Sequence, residues 1–361
     1  MSELLLVGAG HAHLHVVREA AALVAAGYGV TLLAPRFFHY SGVASATAAG
    51  AVPATEGRVD VAALAQRAGI TFIDGTLAAL DLITRVATTA AGRTIGYDVL
   101  SLNIGSVALS PPDTAVGPGV LRVKPLSDLV ALGELIDSMA SAPGARVTVV
   151  GGGATGLELA GHLSVRPGVA TVRLLEAGPG IGADLPAGAR RRLERLLTRR
   201  GVEVHRGCAV SNLGATEARC VDGVVLDHDV VVLATGLVAP SLVSEVGLGD
   251  SGGIPVRATL QQVDHEEIYA VGDCARFLPR PLPRTGVHGV RQGPVLHASL
   301  LARARGDRLP SYRPQRQALA VLDLGAGTGL AVRGRLWWLG RSALLLKRWI
   351  DRRWLRTYQT P

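Results

Sequence analysis

The chain has 361 residues, more than one ordinary core holds and suited to two domains and a tail. Hydrophobic residues make up 48% and charged residues 18%, a globular balance that excludes a disordered chain. The formal net charge is +8, and residues 331–361 hold nearly all of it: Arg333, Arg335, Arg341, Lys347, Arg348, Arg352, Arg353 and Arg356 stand against Asp351 alone.

Residues 3–7 form a short apolar run ending in Gly8-Ala9-Gly10. A helix is expected over 13–26, stopped by Gly27, and a second apolar run spans 29–33. This is strand, glycine turn, helix, strand: one βαβ unit. Further on, 59–67 reads as a helix, 70–80 as strand and turn, and 97–103 as an apolar run ending at Ile104-Gly105. The stretch 110–119 is rich in Pro and Gly and reads as a connection. The βαβ pattern then returns: 146–150 leads into Gly151-Gly152-Gly153-Ala154-Thr155-Gly156, a helix is expected over 157–163, and a strand over 171–175. A basic helix (187–200) and several short strands follow. Runs at 229–233 and 268–271 end in Ala234-Thr235-Gly236 and Gly272-Asp273. Short apolar strands ending in glycine fit parallel sheets with ligands at their carboxyl ends.

The second turn is a full G-x-G-x-x-G between an expected strand and an expected helix. Gly151 permits the turn, Gly153 lets a pyrophosphate reach backbone, and Gly156 lets the helix pack on the sheet. Ala154 and Thr155 open the helix, whose free N–H groups and dipole favour phosphate. Glu176, 20 residues past Gly156, is placed to accept the ribose hydroxyls of NAD and to repel the extra phosphate of NADP. The first turn keeps Gly8 and Gly10 but has His13 where the third glycine would stand. Its second strand ends in Leu33-Ala34-Pro35-Arg36, without the ribose acid. His11, His13 and His15 alternate along a turn entering a helix and do not converge on one ion, so no metal is expected.

Cys208, Cys220 and Cys274 form neither a C-x-x-C pair nor a zinc pattern, so no structural disulfide is expected and the chain reads as intracellular. No basic segment precedes the first strand, so no signal peptide is expected. No apolar run is long enough to span a bilayer.

Several stretches together resemble the pyridine nucleotide-disulfide oxidoreductase superfamily. They are Val7-Gly8-Ala9-Gly10-His11-Ala12-His13, Tyr40-Ser41-Gly42, residues 97–106, Val123-Lys124-Pro125, residues 151–160, Ala234-Thr235-Gly236, Tyr269-Ala270-Val271-Gly272-Asp273 and Val290-Arg291-Gln292-Gly293-Pro294. More closely, the chain is similar to type II NADH dehydrogenases, in a branch that also occurs fused to selenophosphate synthetases. The resemblance implies an α/β fold of two Rossmann-like dinucleotide-binding domains, the NAD domain inserted in the FAD domain, with a C-terminal helical tail. The expected boundaries are 1–120 and 255–330 for FAD, 121–254 for NAD(P)H and 331–361 for the tail. It implies FAD on Gly8, Gly10, His11, Ala12, His13, Arg36, Ser41, Gly105, Gly272 and Asp273. It implies NADH on Gly151, Gly153, Ala154, Thr155, Gly156, Glu176 and Gly236, with NADPH left open. Glu158 matches a family acid near the meeting point of nicotinamide and flavin, and Lys124 would place charge near the flavin. Disulfide reductases carry a C-x4-C pair on the first helix, which this sequence lacks. Where type II enzymes carry two quinone-site glutamines, this chain has Val287 and Arg291; His288, Arg291 and Gln292 are the remaining candidates for a quinone.

The tail places Leu346, Ile350, Trp354 and Tyr358 on one side of a helix, widened by Leu345 and Trp349 and flanked by arginines. This composition suits a helix lying in an anionic membrane interface through residues 335–361; a helix docked on its own protein or on a second copy is the other reading. Nothing points to nucleic acid. The leading expectation is an NADH:quinone oxidoreductase, cytoplasmic or at the cytoplasmic side of the membrane. NADH would pass hydride to flavin N5, and electrons would go on to quinone. Two others stand beside it: a soluble NAD(P)H-dependent reductase of another acceptor, and a sensor that binds flavin or nucleotide without turnover. A homodimer is left open.

Overall fold

The computed structural model describes residues 1–111, 113–115, 117, 119–139 and 144–359. Residues 112, 116 and 118 of the expected connection, and 360–361 of the tail, lie outside the described residues. Two five-stranded sheets, each with every pair parallel, carry the architecture. In the first, Ser2–Val7 is central. Tyr28–Ala34 and Thr71–Asp74 lie on one side, and Val99–Leu102 and Ile268–Ala270 on the other. In the second, Ala145–Val150 is central. Val169–Glu176 and Glu203–Arg206 lie on one side, and Val230–Leu233 and Val120–Arg122 on the other.

The strand before each glycine turn therefore holds the same place in its sheet. The last strand of the first sheet arrives only after the second sheet is complete. Leu4, Leu5, Leu6 and Val7, like Val147 and Val149, are fully buried, as expected of strands covered on both faces.

Local chemistry sets the ends of the helices. The helix expected over 13–26 is two helices, His11–Arg18 and Ala20–Ala25, broken at Glu19. The one expected over 59–67 starts at Val61, because the Asp60 side chain accepts the Ala63 N–H at 3.0 Å and caps it.

The tail departs most from expectation. Its start at 331–340 is strand, not helix: Gly329–Arg333 and Leu336–Gly340 pair in an antiparallel sheet with Ala320–Asp323, a segment expected in the FAD-binding part. Leu322, Leu324, Leu330 and Val332 complete the core of the second parallel sheet. The helix Arg341–Gln359 then crosses over, and Leu355 and Tyr358 enter the core of the first. The C-terminal segment thus ties the two cores together. The inward face of the helix is Ala343, Leu344, Lys347, Asp351, Leu355 and Tyr358, whereas Leu346 and Ile350 are only half-buried. The apolar stripe read from the sequence missed this because an ion pair, not a leucine, fills the middle of the docked face.

A disulfide joins Cys208 to Cys220, with Cα atoms 5.3 Å apart, against the expectation of none. Antiparallel pairing creates the proximity: Cys220 lies opposite Val210, two residues beyond Cys208. Spacing along the chain does not reveal that pairing.

Candidate functional site

The second glycine turn has the geometry its motif requires. Gly151 sits at φ +112°, and a Cβ there would strike the Ala234 carbonyl oxygen. A Cβ on Gly156 would strike the Gly151 carbonyl oxygen. A Cβ on Gly153 would meet nothing within 4 Å, and Gly153, Ala154 and Thr155 are exposed, so this is the open cradle. Gly236, ending the neighbouring strand, also faces open space. Glu176 curls back over the turn: Oε2 accepts the Gly152 N–H at 2.8 Å and Oε1 accepts the Gly178 N–H at 2.6 Å. Its carboxylate is thereby fixed at the end of its strand, beside the cradle.

The first turn is built differently. Gly8 takes φ +84°, where a Cβ would press on the Asn103 carbonyl. The His13 imidazole is fully buried, with Nδ1 2.6 Å from the Gly8 carbonyl oxygen and Nε2 2.8 Å from Ser101 Oγ. Burial pushes its pKa down to about 4, so it packs as a neutral ring. Asn103 Oδ1 accepts the N–H groups of Ala12 (3.1 Å) and His13 (3.2 Å), and Nδ2 donates to the Val271 carbonyl. Ala12 and His13 are therefore corrected from ligand contacts to structural members of the turn, their donors already taken.

Gly10, His11, Ser41, Gly105, Lys124, Gly272 and Asp273 come together around one pocket, joined by Phe38, His39 and Asn103. Lys124 Nζ contacts Asp273 Oδ2 and donates to Ser106 Oγ, which donates to the same carboxylate at 2.9 Å. Burial alone would raise the Asp273 pKa; Lys124 and Ser106 outweigh it and hold it low. Burial likewise pushes His11 down to about 4. The pocket floor thus combines a neutral imidazole with a paired ammonium and carboxylate. Arg36 lies apart, at the end of the second strand, paired with Asp60 at 3.2 Å.

The quinone candidates do not gather. Gln292 is buried and its Oε1 accepts the Gly272 N–H at 2.7 Å, so its side chain holds the backbone of the flavin-side pocket. His288 Nδ1 is 2.9 Å from Tyr312 Oη, and Arg291 is exposed.

Residues 2–293 match the family described as pyridine nucleotide-disulphide oxidoreductase. This chain belongs to that family. Among curated proteins it is similar to an NADH dehydrogenase-like protein of Mycobacterium tuberculosis, 28% identical over 223 residues, covering 58% of this chain and 56% of that protein. It is also similar to a rubredoxin-NAD(+) reductase of Alcanivorax borkumensis, 34% identical, covering 52% and 50%. The chain spans about half the length of these curated relatives. Among solved structures, NDH2 of Plasmodium falciparum in complex with NADH matches at a TM-score of 0.84 and 11% identity, over 98% of this chain and 96% of that one. At that identity the likeness shows the fold: the two-dinucleotide-binding flavoprotein architecture.

Two places in the chain suit the dinucleotide ligands that this family's description implies. The open cradle at Gly153 fits a dinucleotide pyrophosphate. The pocket at Gly10, Gly105 and Asp273 lies at the carboxyl edge of the first sheet, where such folds hold their ligand.

A second charged cluster joins the family site to the tail. Glu158, on the helix Ala154–Leu163, accepts the Asp323 N–H at 2.8 Å. Lys347 donates to the Gly42 carbonyl (2.6 Å) and to Asp351 (3.1 Å), and Tyr40 donates to Asp351 at 2.9 Å. Burial raises the Glu158 pKa, while Lys347 and the Asp323 N–H work to lower it. Burial works to lower Lys347, but Glu158 and Asp351 outweigh it and hold the pKa above the usual lysine value. The sequence points to Glu158 alone of this cluster; Tyr40, Lys347 and Asp351 join it only through the fold. Tyr40 belongs to the Tyr40-Ser41-Gly42 stretch, and the i, i+4 spacing of Lys347 and Asp351 is the signal in the sequence.

Proposed function

We propose that this flavoprotein is an NADH:quinone oxidoreductase working at an anionic membrane surface. When bound, FAD would supply the two-electron chemistry between the nicotinamide and the acceptor. In this reading residues 121–254 hold NADH and residues 1–120 and 255–330 hold FAD. Gly151, Gly153 and Gly156 shape the NADH cradle, and Ala154 and Thr155 offer it their N–H groups. Gly236 leaves room beside it, and Glu176 selects the plain ribose. Gly8, Gly10, Gly105, Gly272 and Asp273 shape the flavin pocket. His11 and Ser41 line it, Lys124 supplies its positive charge, and Arg36 lies at its adenosine end. Glu158 and Lys347 form a charged joint between the nucleotide-binding fold and the tail.

The observation that favours the membrane is the outer face of the C-terminal helix. Leu345 (56% exposed) and Trp349 (61%) lie among exposed Arg348, Arg352 and Arg353. Exposed indole beside guanidinium is the composition of an interfacial helix. Among the described residues no helix is long and apolar enough to cross a membrane. Replacing Trp349 with Ala together with Arg348 and Arg352 with Glu is expected to abolish flotation with anionic liposomes. NADH oxidation with a soluble dye should remain. Flotation unchanged by the triple substitution would remove the membrane reading.

The rubredoxin-NAD(+) reductase relative favours a second reading, reduction of a small redox protein. Anaerobic reduction by NADH or NADPH, then reoxidation by a panel of quinones and by rubredoxin, separates the two. Fast reoxidation by rubredoxin alone would overturn the quinone reading, and no reduction by either nucleotide would favour a sensor.

The nucleotide preference follows from Glu176. Glu176→Gln keeps an acceptor for the turn but removes the charge that opposes a 2′-phosphate. The ratio of kcat/KM for NADH to that for NADPH is expected to fall about tenfold or more, roughly 1.4 kcal/mol. Steady-state kinetics with both nucleotides measures it.

A further inference from the structure

The helix Arg341–Gln359 passes three successive points beside the first sheet's ligand edge. At one end, Lys347 and Asp351 grip the Gly42 carbonyl and the Tyr40 hydroxyl. In the middle, the Trp354 ring stacks on Tyr40, with centroids 4.3 Å apart and planes 14° off parallel. The same indole is 5.0 Å from His11, the first residue of the glycine-turn helix. At the far end, Tyr358 and Gln359 line a pocket of about 470 Å³ with Arg36, Phe37, Arg58 and Arg67. Gln359 fastens that end by donating to the carbonyls of Glu56 and Arg58, each at 2.8 Å.

Two features of this surface ask for an oxygen-rich anionic ligand. The Trp354 Nε1–H is buried and has no hydrogen-bond acceptor among the described residues. An indole N–H is a donor only, and buried donors are nearly always satisfied. The far pocket carries three guanidinium groups against the single carboxylate of Asp60, and the guanidinium carbons of Arg36 and Arg58 lie 5.2 and 4.4 Å from the Phe37 ring centroid. Guanidinium groups are suited to phosphate oxygens.

We propose that the C-terminal helix is a wall of the FAD site. Trp354 donates its indole N–H to the phosphate–ribose chain of the dinucleotide, and Tyr358 and Gln359 close the basic adenosine end. Docking of the helix and binding of FAD are then coupled, each strengthening the other.

The test titrates FAD into full-length apoprotein by calorimetry. Trp354→Phe keeps the stack and removes the donor; Trp354→Ala removes both; Trp338→Phe, on the exposed side of the tail's sheet, is the control. The Kd for FAD is expected to rise severalfold in the first, by about tenfold or more in the second, and not in the control. Hydrogen exchange across 341–359 is expected to slow when FAD binds the unaltered chain, a readout that needs no variant. FAD uptake by the unaltered chain in the same titration checks the cofactor itself. Equal FAD affinity in all four proteins, or helix exchange indifferent to FAD, would overturn the proposal.

Discussion

Replacing Lys347 by Met is expected to cost about 3–5 kcal/mol of stability at neutral pH, the usual penalty for removing one partner of a buried ion pair. Lys347 is 9% exposed and Asp351 10%, and Lys347 also acts on the enclosed Glu158. Without the ammonium, Asp351 keeps the Tyr40 hydroxyl, Glu158 keeps the Asp323 N–H and the Ser45 hydroxyl (3.5 Å), and both lose the attraction of the Lys347 charge. Burial already raises the pKa of both Glu158 and Asp351, and Lys347 restrains that rise. In the variant both climb further. A carboxyl whose folded pKa lies above its unfolded value, roughly 4, weakens the fold when ionised. The deficit is therefore full above the folded pKa values and shrinks as pH falls towards the unfolded ones. Urea unfolding at pH 7.5 and at pH 5, each against the unaltered chain, measures it. A deficit equal at both pH values would mean that lost packing, not charge, is responsible. The same joint links the two cores, so the variant is also expected to unfold with the tail released first.

How much of this could be read from the sequence depended on whether a residue's neighbours lie near it along the chain. Gly151, Gly153 and Gly156 share one turn with the helix they open, and Glu176 is one strand away, so spacing alone placed them. Asp273 and Lys124 are 149 positions apart, and only the family pattern put them in one pocket. Asn103 occurred in a recognised stretch, yet its work depends on three-dimensional approach: it caps a helix 90 residues earlier and grips a strand 168 residues later. His13 showed where the third glycine was missing but not that its ring would span to Ser101. In the tail, hydrophobic periodicity located a helix and grouped Trp354 and Tyr358, which do pack on the core, with Leu346 and Ile350, which are only half-buried. Burial there is decided by Lys347 and Asp351, which a hydrophobic pattern counts as solvent-facing. Gln292 shows the opposite case: a polar residue at a plausible ligand position also holds the backbone of Gly272, a contact 20 positions away that no motif marks.

Gly153 and Gly156 separate binding from folding within one motif. Gly153 has φ −75° and ψ −177°, extended backbone that any residue adopts, and a Cβ there meets no protein atom. Gly153→Val is therefore expected to leave apoprotein stability within about 0.5 kcal/mol of the parent. The branched side chain would fill the cradle instead. NADH affinity should fall about a hundredfold, roughly 2.7 kcal/mol, with FAD content unchanged. Gly156→Ala should do the reverse. Its Cβ is directed at the Gly151 carbonyl oxygen, which is backbone of the turn itself and not the far end of a flexible side chain. Helix and sheet must part, at about 1–3 kcal/mol. Urea unfolding of the apoproteins and NADH titration of the FAD-loaded ones read the two effects independently. If Gly153→Val bound NADH normally, the pyrophosphate would not cross this turn, and the second sheet would lose its place as the NADH site. If Gly156→Ala were as stable as the parent, the close approach of helix to turn would not be what requires glycine there.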